Sequence, residues 1–288
     1  MMPAHTLTDR IVARVRDTEF GADGLHVRVG DTTAEHRWTP DVRADIHSAA
    51  KAVCVLAVGI AADEERVSLD EPVVSALPGV RPGAGAEQVT LRHLLSMSSG
   101  IDLPWSETLM TDWPDLANEF LGRSARGRVF QYSNASTYTA MRVLAARVGD
   151  PVAYLEPRLF SPLGIERVAW GRCPNGWILA GEGLFLRTAE LANIGGLIRD
   201  RGVWNGRRLV TAESIDAMHS DWVRAGEHPS YDRYALAGWG GPGGAWRLHG
   251  AHGQLVIFSG ETVVTMTAHD HFGADAIAEF IVETIERG

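Results

Sequence analysis

One segment near the N-terminus constrains the fold more than any other part of the chain. Residues 48–62 are apolar on every side of a helical projection except at Ser48 and Lys51, and they contain no proline. A helix that is apolar all round must be buried, because it has no face to offer to water. The segment therefore predicts a central helix enclosed by other elements, and 288 residues are enough to build that enclosure.

The two ends of the chain carry complementary patterns. At the N-terminal end a helical repeat over 7–15 is followed by a strand-like alternation over 25–29, a Gly30-Asp31 turn and a second strand-like run. The C-terminal end has strand-like runs and then an amphipathic helix, at 246–248, 255–258, 262–268 and 277–285. Strands at both ends of one chain indicate a single antiparallel sheet to which both ends contribute.

The predicted fold class is therefore α/β (α+β), with an antiparallel β-sheet flanked by N- and C-terminal helices and an inserted helical lobe. The residues between the two ends contain helical segments separated by proline and glycine, which supports the inserted lobe. We assign residues 1–62 and 185–288 to the sheet lobe and residues 63–184 to the mainly helical lobe. The cleft between the two lobes is the expected active site.

Charge and composition exclude several classes of function. A formal net charge of −9 argues against nucleic acid or an anionic membrane as a partner. The charged stretch 1–16 lacks the apolar core of a secretory signal, and no run approaches the ~18 apolar residues of a membrane-spanning helix. The two cysteines, Cys54 and Cys173, give no disulfide framework. We therefore expect a cytoplasmic protein.

The distribution of basic residues singles out one position. The 27 basic residues comprise 26 arginines and a single lysine, Lys51. Arginine replaces lysine cheaply where the charge is solvated, but it cannot replace a lysine that must lose its proton, since guanidinium stays protonated. Lys51 is therefore a candidate for a position that requires a titratable amine, and its chance survival is the alternative.

Ser48 and Lys51 form a candidate nucleophile and base. Residues three apart on a helix share a face, so the amine can approach the hydroxyl. Burial disfavours the charged ammonium, which would let a neutral amine accept the serine proton. Ser48 could instead be a helix cap. A cap leaves unexplained why an unpaired lysine lies in an apolar helix, where a buried charge is costly.

A second candidate element is Tyr132-Ser133-Asn134, which follows the strand-like run 128–131 and precedes a helix from about Ser136. A phenol at such a turn can relay a proton, and the Asn134 amide can orient an acyl carbonyl and contact Lys51. Alone, this tripeptide is equally compatible with an ordinary turn and a core tyrosine.

Together these motifs resemble a known family. Ser48-Ala49-Ala50-Lys51 matches the S-x-x-K mark of serine β-lactamases and penicillin-binding proteins. Tyr132-Ser133-Asn134 is similar to the Tyr-x-Asn of class C β-lactamases and their esterase and peptidase relatives. Two further segments look family-like, namely 89–101, which resembles a signature helix ending at Gly100, and 181–193 with the following Trp204-Asn205-Gly206.

The third motif of the family is where this sequence departs. Relatives carry Lys-Thr-Gly or His-x-Gly on a strand beside the cleft, and the matching stretch here is 250–254, with Ala251 in the basic position and His252 next to it. His249 is the alternative occupant if the register differs. The change argues against substrates whose carboxylate that cation would hold, including β-lactams. His252 could supply a hydrogen bond instead.

By resemblance to the family, the catalytic residues are Ser48, Lys51 and Tyr132, and Asn134 holds the substrate carbonyl. The resemblance places the oxyanion between the backbone N–H groups of Ser48 and Gln254, with Gly253 allowing close approach. The implied activity is cleavage of a small-molecule ester or amide through an acyl-enzyme, without metal or organic cofactor.

Other functions stay open at this stage. A β-lactamase or D-amino-acid peptidase, an acyltransferase and a catalytically silent binding module of the same fold all remain compatible with the sequence, as does any oligomeric state. His269-Asp270-His271 is interpreted as a solvated loop, because it lacks a third ligand at metal-like spacing. Pocket lining or simple packing is expected for Trp105, Trp113 and Trp177.

Overall fold

The computed structural model describes residues 2–109, 115–227, 232–241 and 243–288. Its α-helices are α1 (Ala4–Asp17), α2 (Ala50–Asp63), α3 (Leu91–Leu95), α4 (Leu116–Gly122), α5 (Asn134–Val148), α6 (Pro151–Leu155), α7 (Thr188–Arg199), α8 (Ala212–Asp216) and α9 (Ala274–Glu286). Its strands are β1 (Ala22–Val29), β2 (Thr32–Arg37), β3 (Ala44–Asp45), β4 (Ala169–Trp170), β5 (Leu184–Leu186), β6 (Val203–Trp204), β7 (Arg207–Arg208), β8 (Val223–Arg224), β9 (Arg233–Tyr234), β10 (Trp239–Gly240), β11 (Trp246–Gly250), β12 (Gln254–Ser259) and β13 (Thr262–Ala268).

The main sheet is built from both ends of the chain. Its eight described strands run in the order β2-β1-β13-β12-β11-β10-β9-β8, and neighbouring strands are antiparallel. The N-terminal strand β1 lies beside β13, with Val27 opposite Val264. The predicted mixed fold, with one antiparallel sheet contributed by the two termini, is confirmed.

Two layers of apolar side chains cover the sheet, one on each face. Helices α1 and α9 pack on one face, where Leu255 and Ile257 of β12 join their core. The alternate residues Val256 and Phe258 point to the opposite core, on the side of α7. Because both faces are covered, β12 and β13 are apolar nearly throughout instead of alternating with polar residues.

Helix α2 is the centre of the second core. Every residue from Ala50 to Ala61 is buried, and the helix packs against α5 and α8. Each large apolar side chain that it removes from water contributes about 1.5–3 kcal/mol. The prediction of a central, enclosed helix is confirmed. Ser48 lies just outside it, in a 3₁₀ turn over His47–Ala49 that leads directly into α2.

Two local predictions are wrong. The run 128–131 is not a strand, because its backbone bonds to a loop instead of a sheet: Gln131 N–H donates to Met97 at 2.8 Å and Val129 accepts from Gly100 at 3.1 Å. The helix expected to end at Gly100 ends at Leu95. Met97 already has φ of +55°, which a right-handed helix does not allow.

No helix within the described ranges combines the length and apolar character needed to cross a membrane.

Candidate active site

Lys51 connects three segments that are far apart in the chain. Its Nζ lies 2.8 Å from Ser48 Oγ, 2.7 Å from Asn134 Oδ1 and 3.0 Å from the carbonyl oxygen of Gly181. All three partners are neutral groups that can accept a hydrogen bond. The structure therefore brings the predicted Ser48, Lys51 and Asn134 together around one nitrogen atom.

Lys51 is buried, with 2% of its surface exposed. Among the described residues, its hydrogen-bond partners are a hydroxyl, an amide and a backbone carbonyl and include no carboxylate, which is the usual compensation for a buried ammonium. The ring of Tyr132 lies 4.9 Å from Nζ, close enough for a cation–π contact. This environment is far from the solvated setting in which arginine and lysine are interchangeable.

Tyr132 and Asn134 are positioned by the start of α5. Asn134 is its first residue and is buried, whereas Tyr132 precedes the helix and is half-buried. The Tyr132 ring packs 5.4 Å from Trp239 and 5.9 Å from Tyr234, centroid to centroid. These aromatic neighbours fix the Tyr132 ring next to Lys51, and the proton-relay role of its hydroxyl stays a prediction.

Asp45 is a functional candidate that the sequence reasoning missed. Its Oδ1 accepts hydrogen bonds from the backbone N–H of His47 at 2.8 Å and of Gly183 at 2.9 Å. His47, directly before the nucleophile, has φ of +47°, an unfavourable conformation for a residue other than glycine. Asp45 thus ties the strained turn before Ser48 to the Gly183 backbone. The only feature of the sequence that could have pointed to Asp45 is its position two residues before His47, from which an Asp side chain can accept a backbone N–H of a turn.

Two glycines allow close approach around the nucleophile. A Cβ atom on Gly181 would lie 2.7 Å from Asn134 Oδ1 and 3.1 Å from Lys51 Nζ. A Cβ atom on Gly250, at the end of β11, would collide with the carbonyl oxygen of Ile46. The end of β11 at Gly250 therefore abuts the turn that carries Ser48.

The third motif is distributed differently from the prediction. His249, Ala251 and His252 all line the cleft beside Ser48. Gly253 and Gln254 do not: both are buried, and the Gln254 side chain donates to the carbonyl oxygen of Ala268, away from the nucleophile. The predicted oxyanion donor is the backbone N–H of Gln254, which these side-chain contacts do not involve, so that assignment stays a prediction. The chain turns at His252, where φ is +61°, before Gln254 enters β12.

The cleft in front of Ser48 encloses about 730 Å³, which is within the range for small-molecule sites. Its lining joins Ser48, Tyr132 and Asn134 to Trp105 and Trp239. Trp105 is thus a lining residue as considered above. Trp177 instead packs against the core, with the Arg142 guanidinium 3.7 Å from its ring centroid. Trp113 lies outside the described residues.

Burial alters the protonation of several groups in the cleft. It lowers the pKa of His47, with Asp45 opposing that effect. Burial and the neighbouring Arg247, opposed by Asp275, together lower the pKa of His249 to about 4. Burial raises the pKa of Glu182, which Lys51 partly counteracts. At neutral pH His47 and His249 are therefore uncharged.

The two histidines near the C-terminus, His269 and His271, have different surroundings. His269 Nδ1 lies 3.0 Å from Asp23 Oδ1, whereas His271 lines the cleft, its ring centroid 5.1 Å from that of His252. Within the described ranges no group of three or more His, Cys, Asp or Glu side chains is arranged to hold a metal ion.

Comparison with known proteins decides the family. A family model described as Beta-lactamase matches residues 14–276, which is most of the chain. The chain belongs to the β-lactamase family. Members of the β-lactamase family are typically serine hydrolases, and in this member Ser48 lines the cleft with the buried Lys51 2.8 Å from its Oγ. None of the curated proteins matches the chain at a significant level.

Solved structures show the same β-lactamase-family fold at low sequence identity. A proposed β-lactamase from Bacteroides dorei has a TM-score of 0.80 at 19% identity, with 100% of each chain covered. A proposed 6-aminohexanoate-dimer hydrolase from Bacillus anthracis has a TM-score of 0.78 at 17% identity, covering 95% of this chain and 80% of that one. A class C β-lactamase has a TM-score of 0.76 at 14% identity, covering 98% and 96%.

Proposed function

We propose that this protein is a serine hydrolase that cleaves an ester or amide of a small molecule through an acyl-enzyme. The observation that carries the proposal is the 2.8 Å contact between the buried Lys51 Nζ and the Oγ of Ser48, which lines a cleft. A serine with an adjacent base in this arrangement is the signature of an activated nucleophile.

The three contacts of Lys51 suit a neutral amine. Such an amine has two N–H bonds, which Asn134 Oδ1 and the Gly181 carbonyl can accept. Its lone pair then faces the Ser48 hydroxyl and can take its proton. As Ser48 Oγ bonds to the carbonyl carbon, the bond to the leaving group breaks, and the leaving group takes a proton through Tyr132. Water then cleaves the acyl-enzyme and restores Ser48.

The oxyanion donors we propose are the backbone N–H groups of Ser48 and Ala251. Both residues line the cleft, and Gly250, which precedes Ala251, abuts the backbone of the Ser48 turn. Two preorganised donors at the developing charge usually make the largest single contribution to catalysis. In this proposal Ala251 supplies the second oxyanion donor, a role for which the sequence analysis named Gln254.

The lining of the cleft favours esters and simple amides over β-lactams. Within the described ranges it contains no arginine, and Lys51 lies buried beneath it, so no solvent-facing cation awaits a substrate carboxylate. The similarity to a proposed 6-aminohexanoate-dimer hydrolase adds an amide-cleaving relative to this assignment.

Hydrolysis of short p-nitrophenyl esters tests the function. We expect turnover by the wild-type protein and a loss of about 10³-fold or more in Ser48→Ala. Ser220→Ala removes an exposed hydroxyl outside the cleft and should leave turnover unchanged. Equal hydrolysis by wild type and Ser48→Ala would show that the reaction does not use this site. A chromogenic cephalosporin in parallel should remain intact, and its rapid hydrolysis would restore the β-lactamase alternative.

A further inference from the structure

One carboxylate in the wall of the cleft is in direct contact with no other polar side chain of the described residues, although the charge of Lys51 acts on it through space. Glu182 lines the cleft and is half-buried, and its carboxylate makes no hydrogen bond or ion pair within the described part of the chain. The other two acidic residues of the lining differ from it. Glu227 is exposed and lies 3.2 Å from the Arg224 guanidinium, and Asp275 lies 2.9 Å from that of Arg247.

The backbone around Glu182 is held firmly beside the nucleophile. The preceding carbonyl of Gly181 accepts from Lys51 at 3.0 Å, and the following N–H of Gly183 donates to Asp45 at 2.9 Å. The carbonyl of Glu182 itself accepts from Trp170 Nε1 at 3.0 Å. Three hydrogen bonds on three consecutive residues preorganise the backbone of this segment, so the Glu182 side chain starts from a fixed point in the wall of the cleft that Ser48 also lines.

The surrounding charge makes this place suitable for a cation. No arginine contributes to the described lining, and burial keeps His47 and His249 uncharged at neutral pH. Lys51 lies beneath the floor, is hydrogen-bonded to three other acceptors and acts on Glu182 only through space. A half-buried carboxylate without a partner is under-solvated, and a ligand cation that reaches it recovers a charge-assisted hydrogen bond.

We propose that Glu182 selects substrates that carry a positively charged nitrogen a few bonds from the scissile carbonyl. This specificity rests on the hydrolase function proposed above, because it concerns the substrate of the same Ser48 site. A substrate carboxylate in that position would face Glu182 directly and be repelled. The cleft thus discriminates by charge, with cationic acyl compounds favoured over neutral ones and neutral ones over anionic ones.

Two matched ester series test the proposal on either side of the scissile bond. The acyl series comprises p-nitrophenyl esters of 3-aminopropanoate, butanoate and succinate, which differ in the charge of one terminal group. The alcohol series compares the butanoate esters of choline and of 3,3-dimethylbutanol, which have the same shape. Each kcat/KM is divided by the rate of alkaline hydrolysis of the same ester, since an ammonium also activates the carbonyl intrinsically.

We expect a preference of about tenfold for the cationic member of at least one series, between the values for exposed and fully buried charge pairs. Glu182→Gln keeps the shape and removes the charge, so it should bring the ratio of cationic to neutral kcat/KM within each series close to one, whatever its effect on turnover as a whole. Glu87→Gln, at an exposed position outside the cleft, should leave the preference intact.

Failure of the specificity proposal and failure of the hydrolase proposal would give different results. No preference in either series, or a preference that survives in Glu182→Gln, would overturn the specificity while leaving Ser48-dependent hydrolysis in place. A uniform loss with all esters and accumulated acyl-enzyme in Glu182→Gln would assign Glu182 to the deacylating water and overturn its role in recognition. Undiminished hydrolysis by Ser48→Ala, or no hydrolysis by wild type, would remove the proposed function and this inference with it.

Discussion

Gly181 lies so close to Asn134 that a Cβ atom built on it would stand 2.7 Å from the amide Oδ1. The same atom would stand 3.1 Å from Lys51 Nζ, so this glycine sets the packing of both polar partners. A side chain of any size at position 181 must displace either the amide or the amine. The precise placement of the Lys51 nitrogen therefore depends on a residue with no side chain.

Gly181→Ala should reduce kcat by about 10- to 100-fold, because small misplacements of catalytic groups cost about that much. Stability should fall far less, since the collision is with side-chain atoms that can shift. Gly79→Ala is the matched control, with nothing within 4 Å of its added Cβ. Steady-state kinetics with a p-nitrophenyl ester and a thermal melt check both variants. Unchanged kcat in Gly181→Ala would show that the Lys51–Asn134 geometry is not limiting.

Lys51→Arg should lower turnover by about 10³-fold or more, because guanidinium cannot accept the serine proton at working pH. Arg10→Lys is the converse exchange at an exposed position, and it should leave activity unchanged. Circular dichroism confirms that both variants fold. Substantial ester turnover by a folded Lys51→Arg variant would contradict the role of Lys51 as base.

Asp45 should act as a positioning residue. Asp45→Ala removes the acceptor for the N–H groups of His47 and Gly183, so the strained turn before Ser48 can relax. We expect kcat to fall about 10- to 100-fold with little change in KM. Asp45→Asn keeps an oxygen acceptor in the same place and should restore most of the loss. Equal damage by both substitutions would indicate that the charge of Asp45, and not its two hydrogen bonds, is required.

Glu190 should make stability depend on pH. Burial alone would raise the pKa of this carboxyl, but hydrogen bonds from Arg43 and from the Arg187 backbone outweigh it and hold the pKa below its ordinary value. Since the folded pKa is lower than the unfolded one, the stabilisation is present above the unfolded value of about 4.3 and is lost as pH falls through the folded value.

Glu190→Gln should therefore lower the free energy of unfolding by about 2 kcal/mol at pH 7, since its side chain is only 10% exposed and its partner Arg43 loses an ion pair. The difference from wild type should shrink below about pH 4. Glu87→Gln, an exposed control, should change stability by less than about 0.5 kcal/mol. Urea titrations at several pH values measure these differences, and a gap independent of pH would contradict the assignment.

The central helix and the main sheet could be predicted from the sequence because burial imposes local patterns. Residues 48–62 and the strands around Val27 and Val256 are rich in apolar residues because they are buried, so their sequence indicates where they lie. The Ser48–Lys51 pair could be predicted for a similar reason, since the single lysine lies in an apolar helix.

The rest of the site depends on contacts between distant backbones. Asp45 and Gly183 are 138 residues apart, and their hydrogen bond leaves no trace in composition or periodicity. The same holds for Glu182, whose relation to Lys51 follows from how its loop is held. The second oxyanion donor could not be chosen from the sequence, because the turn at His252 separates Ala251, which lines the cleft, from Gln254, which begins β12.

The most direct test of the account is intact-protein mass spectrometry after incubation with a small fluorophosphonate. We expect one stoichiometric adduct on the wild-type protein, located on Ser48 by peptide mapping, and no adduct on Ser48→Ala. An unmodified wild-type protein, or the same adduct on Ser48→Ala, would contradict the assignment of Ser48 as an activated nucleophile.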